Sequence, residues 1–344
     1  MRQLVLNDKV IHDKAYIIAE IAGNFSTIEE AKKLIDGAVY AGADAVKLQT
    51  YKADTLASKK AKYEMENTGN VSQYELFKEG ELSKVDHEDI YKYAHEKNID
   101  IFSTPSHIDD VEMLEELGTS AYKIGSDDSY NLPFIEEVAK LHKPLMVATG
   151  MRTIYEIDEI VNTIMKTGND NFMLFHAITS YPTPYELANL NVIKTMLDRY
   201  PNIIIGYSDH TIGWQCSYAA RVMGAMMIER HFTLDRNAKG PDHILSSTPE
   251  ELKILVDAIR IFETAQGNGI KMPMGQELVN RKNNAKSIVI DKDIKKGEIL
   301  SKEHLAIKRP GYGIEPKRIY DMIGRKVNKN LDKDAILTWD DLGE

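Results

Sequence analysis

The chain has 344 residues, of which 43% are apolar and 28% charged, and its formal net charge at pH 7 is −10. This length predicts about two domains with a sizeable core, and the acidic charge argues against a nucleic-acid partner. The single cysteine, Cys216, excludes a disulfide within the chain. Because no membrane span or signal peptide is recognisable, we expect a cytoplasmic protein.

Eight short apolar runs alternate with helical patterns along most of the chain. The candidate strands lie at 16–21, 45–50, 99–105, 121–126, 144–150, 172–178, 202–209 and 225–232. Near-continuous apolar strands are typical of a parallel sheet covered on both faces. Eight such units predict an α/β fold, a (β/α)8 TIM barrel. A doubly wound open sheet is the alternative, which the count of eight and the absence of a glycine-rich first turn disfavour.

Several helix starts are recognisable between these strands. Thr27 and Thr153 each precede a glutamate by three residues, which is the pattern of a capping box. Thr248 is followed by Pro249, which is typical of the first helical position, and apolar residues on one helical face follow each of the three threonines. The regular alternation is interrupted at 51–83, where a polar segment predicts a long irregular loop over the catalytic face.

The residue composition of the chain changes near its C-terminus. We predict a barrel domain at 1–265, a linker rich in glycine and polar residues at 266–284, and a small β-rich domain at 285–344. A domain of about 60 residues is marginally stable alone, so we expect it to dock on another surface.

Polar side chains lie where the candidate strands end. The set comprises Glu20, Lys47, Gln49, Ser103, Thr104, Lys123, Ser126, Asp128, Thr149, His176, Asp209, His210, Glu229 and His231. Taken singly, the lysines could be ion-paired and the histidines satisfied by core hydrogen bonds. Taken together in one barrel mouth, they are costly to bury unless they pair or hold a ligand. The lysines favour an anionic substrate, and the histidines with carboxylates favour a divalent metal.

The chain resembles the sialic acid (N-acetylneuraminate) synthase family in the ordered segments IIAEIAGN, AGADAVKLQT, FSTP, YKIGSDD, YPTPYE, GYSDHT and IERHFTLDR. It resembles that family's C-terminal antifreeze-like (SAF) domain in KDIKKGEIL and KRPGYGI. The resemblance covers nearly the whole chain. It implies a (β/α)8 barrel followed by a small β-rich SAF domain.

The resemblance also implies a reaction. Phosphoenolpyruvate would condense through its C3 with the open-chain aldehyde of an N-acyl hexosamine of the N-acetylmannosamine type, giving a nonulosonic acid plus phosphate after C–O cleavage. Within the same family, legionaminate or pseudaminate synthases are alternatives. A 3-deoxy-octulosonate phosphate synthase and a non-catalytic carbohydrate-binding relative are more distant ones.

Residue by residue, the resemblance implies site roles. His210 and His231 match metal ligands, for Mn²⁺ or Mg²⁺, and Glu20, Lys47 and Lys123 match catalytic positions. The positions that match substrate-binding residues are Gln49, Thr104, Ser126, Asp128, Thr179, Tyr181, Asp242 and Arg309. Arg309 would act in the partner's site, which implies a domain-swapped homodimer.

Five positions depart from the family pattern. Phe25 replaces a histidine, Ala148 a serine, Asp128 a glutamate and Lys286 an arginine, and Thr179 stands where sialate synthases often carry asparagine. These changes spare both histidines and both lysines, so we expect the condensation chemistry to be kept. They leave open which sugar is used.

Overall fold

The computed structural model describes residues 4–7, 9–65 and 69–343, and it divides into the units Met1–Gln266 and Gly267–Glu344. The strands of the first unit are β1 (Leu4–Leu6), β2 (Lys9–Ile11), β3 (Tyr16–Glu20), β4 (Ala45–Thr50), β5 (Lys62–Met65), β6 (Gly69–Ser72), β7 (Asp100–Pro105), β8 (Tyr122–Ile124), β9 (Leu145–Ala148), β10 (Phe172–Ala177), β11 (Ile204–Asp209) and β12 (Met227–His231). Its helices are α1 (Ile28–Ala41), α2 (Ala53–Leu56), α3 (Gln73–Glu79), α4 (Lys84–Glu96), α5 (Ile108–Glu116), α6 (Leu132–Ala139), α7 (Ile154–Lys166), α8 (Asn191–Arg199), α9 (Gln215–Val222) and α10 (Pro249–Ala265).

Eight of these strands form a closed parallel barrel, in the order β3, β4, β7, β8, β9, β10, β11 and β12. The barrel closes because β12 pairs with β3, with His231 opposite Glu20. The prediction of a (β/α)8 barrel is therefore confirmed, and the open-sheet alternative is excluded. All eight carboxyl ends meet at one face, which places the polar strand ends around a common mouth.

The helices around the barrel begin as their sequences predict. Thr27, Thr153 and Thr248 each form a capping box with the glutamate three residues later. The apolar faces that follow, such as Ile157 and Ile160 in α7, are buried against the strands. In the part of the chain that the structure describes, no helix combines the length and apolarity needed to cross a bilayer.

An antiparallel β1–β2 hairpin contributes to the core at the other end of the barrel. Its apolar residues belong to the same buried cluster as the residues that fill the barrel interior, such as Phe102 and Met173. The interior is therefore packed with apolar side chains below the polar residues of the strand ends.

The segment 51–83 differs from the irregular loop that its sequence predicts. Outside 66–68, which lie beyond the described residues, it contains α2, the antiparallel β5–β6 pair and α3. The Glu81 carboxylate accepts a hydrogen bond from the backbone N–H of Ala53 at 2.7 Å, and Tyr51 and Tyr63 pack edge-on against Phe77. Aromatic contacts between residues far apart in sequence give this polar segment a folded structure of its own.

The second unit contains α11 (Gln276–Asn284), β13 (Ser287–Ile290), β14 (Leu305–Lys308) and α12 (Ile319–Met322). The antiparallel β13–β14 pair and several short bridges enclose a small apolar core that includes Ile288, Ile290 and Leu300. Helix α11 occupies part of the stretch for which the sequence predicts a linker. It has no buried residue of its own.

Candidate active site

Both predicted lysines lie buried at the barrel mouth, each beside a carboxylate. Lys47 on β4 forms an ion pair with Glu20 at the end of β3, and its Nζ donates to Thr104 Oγ1 at 3.2 Å. Lys123 on β8 donates from Nζ to Glu229 Oε1 on β12 at 2.7 Å. The expectation that each lysine has an ion-pair partner is confirmed. These pairs also bring two cations to one place, where an incoming anion can compete for them.

Glu229, which the sequence places among the polar strand ends of the barrel mouth, is the central acid of this arrangement. Burial opposes its ionisation, but Lys123 and Lys47 outweigh that effect and hold its pKa at about 2. The hydroxyl of Ser208 also donates to Glu229 Oε1, at 3.0 Å. The two-residue spacing of Glu229 to His231 predicts that both side chains lie on one face of the strand.

Lys47 has a strongly perturbed ammonium group. Burial lowers its pKa from 10.5 to about 7, an effect that Glu229 opposes and Lys123 reinforces. Near neutral pH this amine can therefore take up a proton when an anion arrives. Such tuning of a buried lysine is characteristic of functional sites.

The two predicted metal ligands are close neighbours. The rings of His210, just after β11, and His231, at the end of β12, have centroids 5.3 Å apart, and Tyr181 lies 4.2 Å from the His210 ring. Burial lowers the pKa of His210 to about 4. Burial also lowers the pKa of His231, and so does the repulsion that a protonated His210 would exert on it. Both imidazoles are therefore neutral at pH 7, which is the form that binds a metal.

The hydrogen bonds of these rings fit a divalent cation. His210 Nδ1 lies 2.7 Å from the Ile178 carbonyl oxygen, so Nδ1 carries the proton and Nε2 keeps its lone pair. His231 Nδ1 is buried without a hydrogen-bond partner among the described residues, and Asp242 Oδ2 lies 3.5 Å away. No group of three or more His, Cys, Asp or Glu residues with metal-site geometry occurs within the described ranges. Two imidazoles would therefore share the ion with water or substrate oxygens.

Asp242 has an acidity suited to proton exchange near neutrality. Burial raises the pKa of its carboxyl to about 6, while Lys47 partly offsets that effect. The loop that carries it follows β12 and is held by the hydrogen bond from Ser246 Oγ to the Asp242 carbonyl oxygen at 2.6 Å. This loop therefore presents a carboxylate directly beside the histidine pair.

Two predicted substrate-binding positions, Ser126 and Thr179, lie near the turn after β9. The Gly150 N–H donates to Ser126 Oγ at 3.1 Å, which leaves the serine proton free to donate to an anion. A Cβ at Gly150 would lie 2.6 Å from Ser126 Oγ and 2.8 Å from the Thr179 methyl carbon, so only glycine allows this approach. Thr104 lies opposite Gln49 in the pairing of β4 with β7.

Ala148, one of the departures, is buried at the end of β9. The hydroxyl of the next residue, Thr149, donates to the Phe175 carbonyl at 2.8 Å, and that hydrogen bond occupies its only proton. Phe25, another departure, packs against the barrel core.

The remaining predicted positions are more peripheral. Asp128 is half-buried, and burial together with Asp127 raises the pKa of its carboxyl. Tyr63, which the sequence did not single out, has its pKa raised to about 12, first by burial and then by Asp127 and Asp242. The 51–83 segment thus places the phenol of Tyr63 close enough to Asp127 and Asp242 for their negative charges to affect it. Arg309 is an exposed residue just after β14 in the second unit, and its predicted role in a partner's site stays a prediction.

Comparisons with known families match both parts of the chain. The model of the NeuB family matches residues 34–271, and the model of the SAF domain matches residues 285–343.

Individual relatives match over almost their full length. An uncharacterized protein of Methanocaldococcus jannaschii is 41% identical over 99% of both chains. The N,N'-diacetyllegionaminic acid synthase of Campylobacter jejuni is 40% identical over 94% of this chain and 99% of its own. The crystal structure of the N-acetylneuraminic acid synthetase of Leptospira borgpetersenii, in complex with citrate, superposes with a TM-score of 0.72 at 30% identity, covering 81% of this chain and 95% of that one.

Proposed function

The chain belongs to the NeuB family of nonulosonic acid synthases, and we propose that it condenses phosphoenolpyruvate with an open-chain N-acyl hexosamine, releasing phosphate. The observation that carries this proposal is the barrel mouth itself. Two buried lysines lie there beside acidic partners, next to a pair of neutral histidines. This arrangement suits an anion that reacts with a carbonyl compound.

The lysines and hydroxyls would bind the anion. The carboxylate and phosphate of phosphoenolpyruvate compete with Glu20 and Glu229 for the ammonium groups of Lys47 and Lys123. The Ser126 oxygen accepts a hydrogen bond from the Gly150 N–H. Its hydroxyl proton can therefore be donated to the anion. Charge-assisted hydrogen bonds of this kind are short and strong in a buried site.

The condensation requires three bond changes at the bound substrates. C3 of phosphoenolpyruvate forms a bond to the aldehyde carbon, and the aldehyde oxygen takes a proton. Water then adds to C2 and gives one proton to a nearby base, which offsets the proton taken up by the aldehyde oxygen. The new C2 hydroxyl gives its remaining proton to the departing phosphate as the C2–O bond to phosphate breaks, which leaves the α-keto acid. Glu20 is suited to hold the proton from water, because it is a buried carboxylate at the end of β3 beside Lys47.

His210 and His231 would hold the divalent cation, for which we propose Mn²⁺ or Mg²⁺. When bound, such an ion polarises a carbonyl oxygen and stabilises the negative charge that develops on it. Asp242, with a pKa of about 6, can give a proton to an oxygen beside this pair. Tyr181 packs against the His210 ring, with the ring centroids 4.2 Å apart.

For the sugar, the comparisons favour the diacetamido hexose that leads to legionaminate. Identity is 40% to the legionaminic acid synthase, against 34% to a pseudaminic acid synthase and 33% to an N-acetylneuraminate-9-phosphate synthase. Asp128, one methylene shorter than the glutamate common in sialate synthases, leaves room for a larger substituent. N-acetylmannosamine, its 6-phosphate and the pseudaminate precursor are the competing substrates.

The test is phosphate release from phosphoenolpyruvate in the presence of Mn²⁺, with these four sugars run in parallel. We expect the diacetamido precursor of legionaminate to give the highest kcat/KM, EDTA to stop the reaction, and His231→Ala to abolish it without unfolding the protein. Release with another sugar would correct the substrate. Absence of release with all four, together with calorimetry showing that phosphoenolpyruvate does not bind, would favour a non-catalytic carbohydrate-binding protein.

We also propose a domain-swapped homodimer in which Arg309 completes the partner's site. The basis is the resemblance of KRPGYGI to the family's SAF domain. Mixing an Arg309→Ala variant with a Lys47→Ala variant tests it, because a heterodimer then regains one intact site. Partial recovery of activity supports the swap, and purified heterodimers without recovery contradict it.

A further inference from the structure

A fully buried arginine lies beside the candidate metal ligands and has no part in the chemistry proposed above. Arg230 stands between Glu229 and His231 on β12 and is 0% exposed. Because side chains alternate along a strand, it leaves the sheet on the face opposite to those two neighbours. A buried guanidinium is costly unless its five N–H donors find acceptors, so its partners indicate why a charge is kept here.

One set of partners lies on either side of His210. Arg230 Nη1 is 2.9 Å from Asp209 Oδ2 and donates to the carbonyl oxygen of Thr211 at 2.8 Å. The Asp209 carboxylate also accepts from the Thr211 N–H at 2.8 Å and from the Ser217 hydroxyl at 2.6 Å. The residue before His210 and the residue after it are therefore held by one guanidinium group.

The other set of partners lies on the loop that carries Asp242. Arg230 Nε donates to Ser247 Oγ, and Nη2 donates to the Leu245 carbonyl oxygen, both at 3.1 Å. The Ser247 N–H in turn donates to the carbonyl oxygen of His231 at 2.8 Å. The same planar side chain thus ties the His210 segment, the His231 strand and the Asp242 loop into one rigid unit.

We propose that Arg230 is a positioning residue that sets the relative placement of His210, His231 and Asp242 for a bound divalent cation. This inference rests on the proposed function, because it assumes that the histidine pair binds a metal. Groups that orient metal ligands through hydrogen bonds, without contacting the metal, typically contribute a factor of about 10 to 100 in metal affinity. A lysine would keep the charge but has no planar fork that reaches both loops at once.

The experiment measures Mn²⁺ affinity without substrates, by electron paramagnetic resonance of free Mn²⁺. The variant is Arg230→Met combined with Asp209→Asn, because the single change would leave a buried carboxylate unpaired. We expect Mn²⁺ to bind at least about tenfold more weakly than in the wild type, while the double variant melts at a higher temperature than Arg230→Met alone. Arg230→Lys should lie between wild type and the double variant.

A matched control exists at the opposite end of the barrel. Arg221 is also buried, 3.2 Å from Glu263 and 3.2 Å from the carbonyl oxygen of Asp13. Arg221→Met with Glu263→Gln should lower the melting temperature and leave Mn²⁺ affinity unchanged.

Mn²⁺ affinity within twofold of the wild type in the folded Arg230 double variant would overturn the inference and leave the proposed function standing. If that variant does not fold, the same threshold is applied to Arg230→Lys. A wild-type protein that binds no Mn²⁺ would refute the metal part of the proposed function, and this inference with it.

Discussion

The charge of Glu229 should be a large single contribution to the stability of the barrel. Its pKa is about 2 rather than the ordinary 4.5, and at about 1.4 kcal/mol per pKa unit this difference stabilises the fold by roughly 3 kcal/mol at neutral pH. This value agrees with the cost of about 3–5 kcal/mol for removing one partner of a buried ion pair. Glu229→Gln keeps the shape but leaves Lys123, 2.7 Å away, without its anion. We therefore expect a loss of about 3 kcal/mol.

The direction of the pH dependence follows from the lowered pKa. The stabilisation is fully present above pH about 4.5 and is lost as the pH falls towards about 2, because both states then bind the proton. The difference in unfolding free energy between wild type and Glu229→Gln should therefore be constant from pH 7 to 5 and shrink below that.

The assay is urea unfolding followed by tryptophan fluorescence. The chain has two tryptophans, so a Trp339→Phe background leaves Trp214 in the first unit as the reporter. Glu29→Gln is the control, because Glu29 is exposed and its pair with Lys32, at 2.9 Å, should contribute nothing measurable. A difference below about 1 kcal/mol at pH 7 for Glu229→Gln, or one that does not change between pH 5 and 3, would refute the reasoning.

Three further predictions concern binding and stability. Because the pKa of Lys47 is about 7, binding of phosphoenolpyruvate at pH 8 should take up close to one proton; calorimetry in buffers of different ionisation enthalpy measures it, and equal heats would contradict it. Gly150→Ala places a Cβ 2.6 Å from Ser126 Oγ, so we expect a raised KM for phosphoenolpyruvate, with an unchanged KM as the contrary result. Thr248→Ala removes the cap of α10 and should cost about 1 kcal/mol in thermal unfolding without changing turnover; a loss of activity would contradict it.

Much of the fold could be predicted from local features of the sequence. The capping boxes at Thr27, Thr153 and Thr248 and the apolar faces that follow them are properties of short segments, and they have the same form in the structure. Apolar strands with polar ends likewise predict a barrel with a polar mouth, since all strand ends of a parallel barrel meet at one face. Local propensity and periodicity suffice for such features because they involve neighbours within a few residues.

The electrostatics of the site depended on the tertiary structure. Lys123 and Glu229 are 106 positions apart, and only closure of the barrel brings them together and holds the glutamate ionised. The tautomer of His210 depends on the Ile178 carbonyl, 32 positions away. The folded structure within 51–83 and the partners of Arg230 are also long-range. Such contacts leave no periodic signal in the sequence, because they arise between segments whose local sequences are independent. The sequence therefore determined which groups reach the barrel mouth, and the tertiary structure decided how each group is charged.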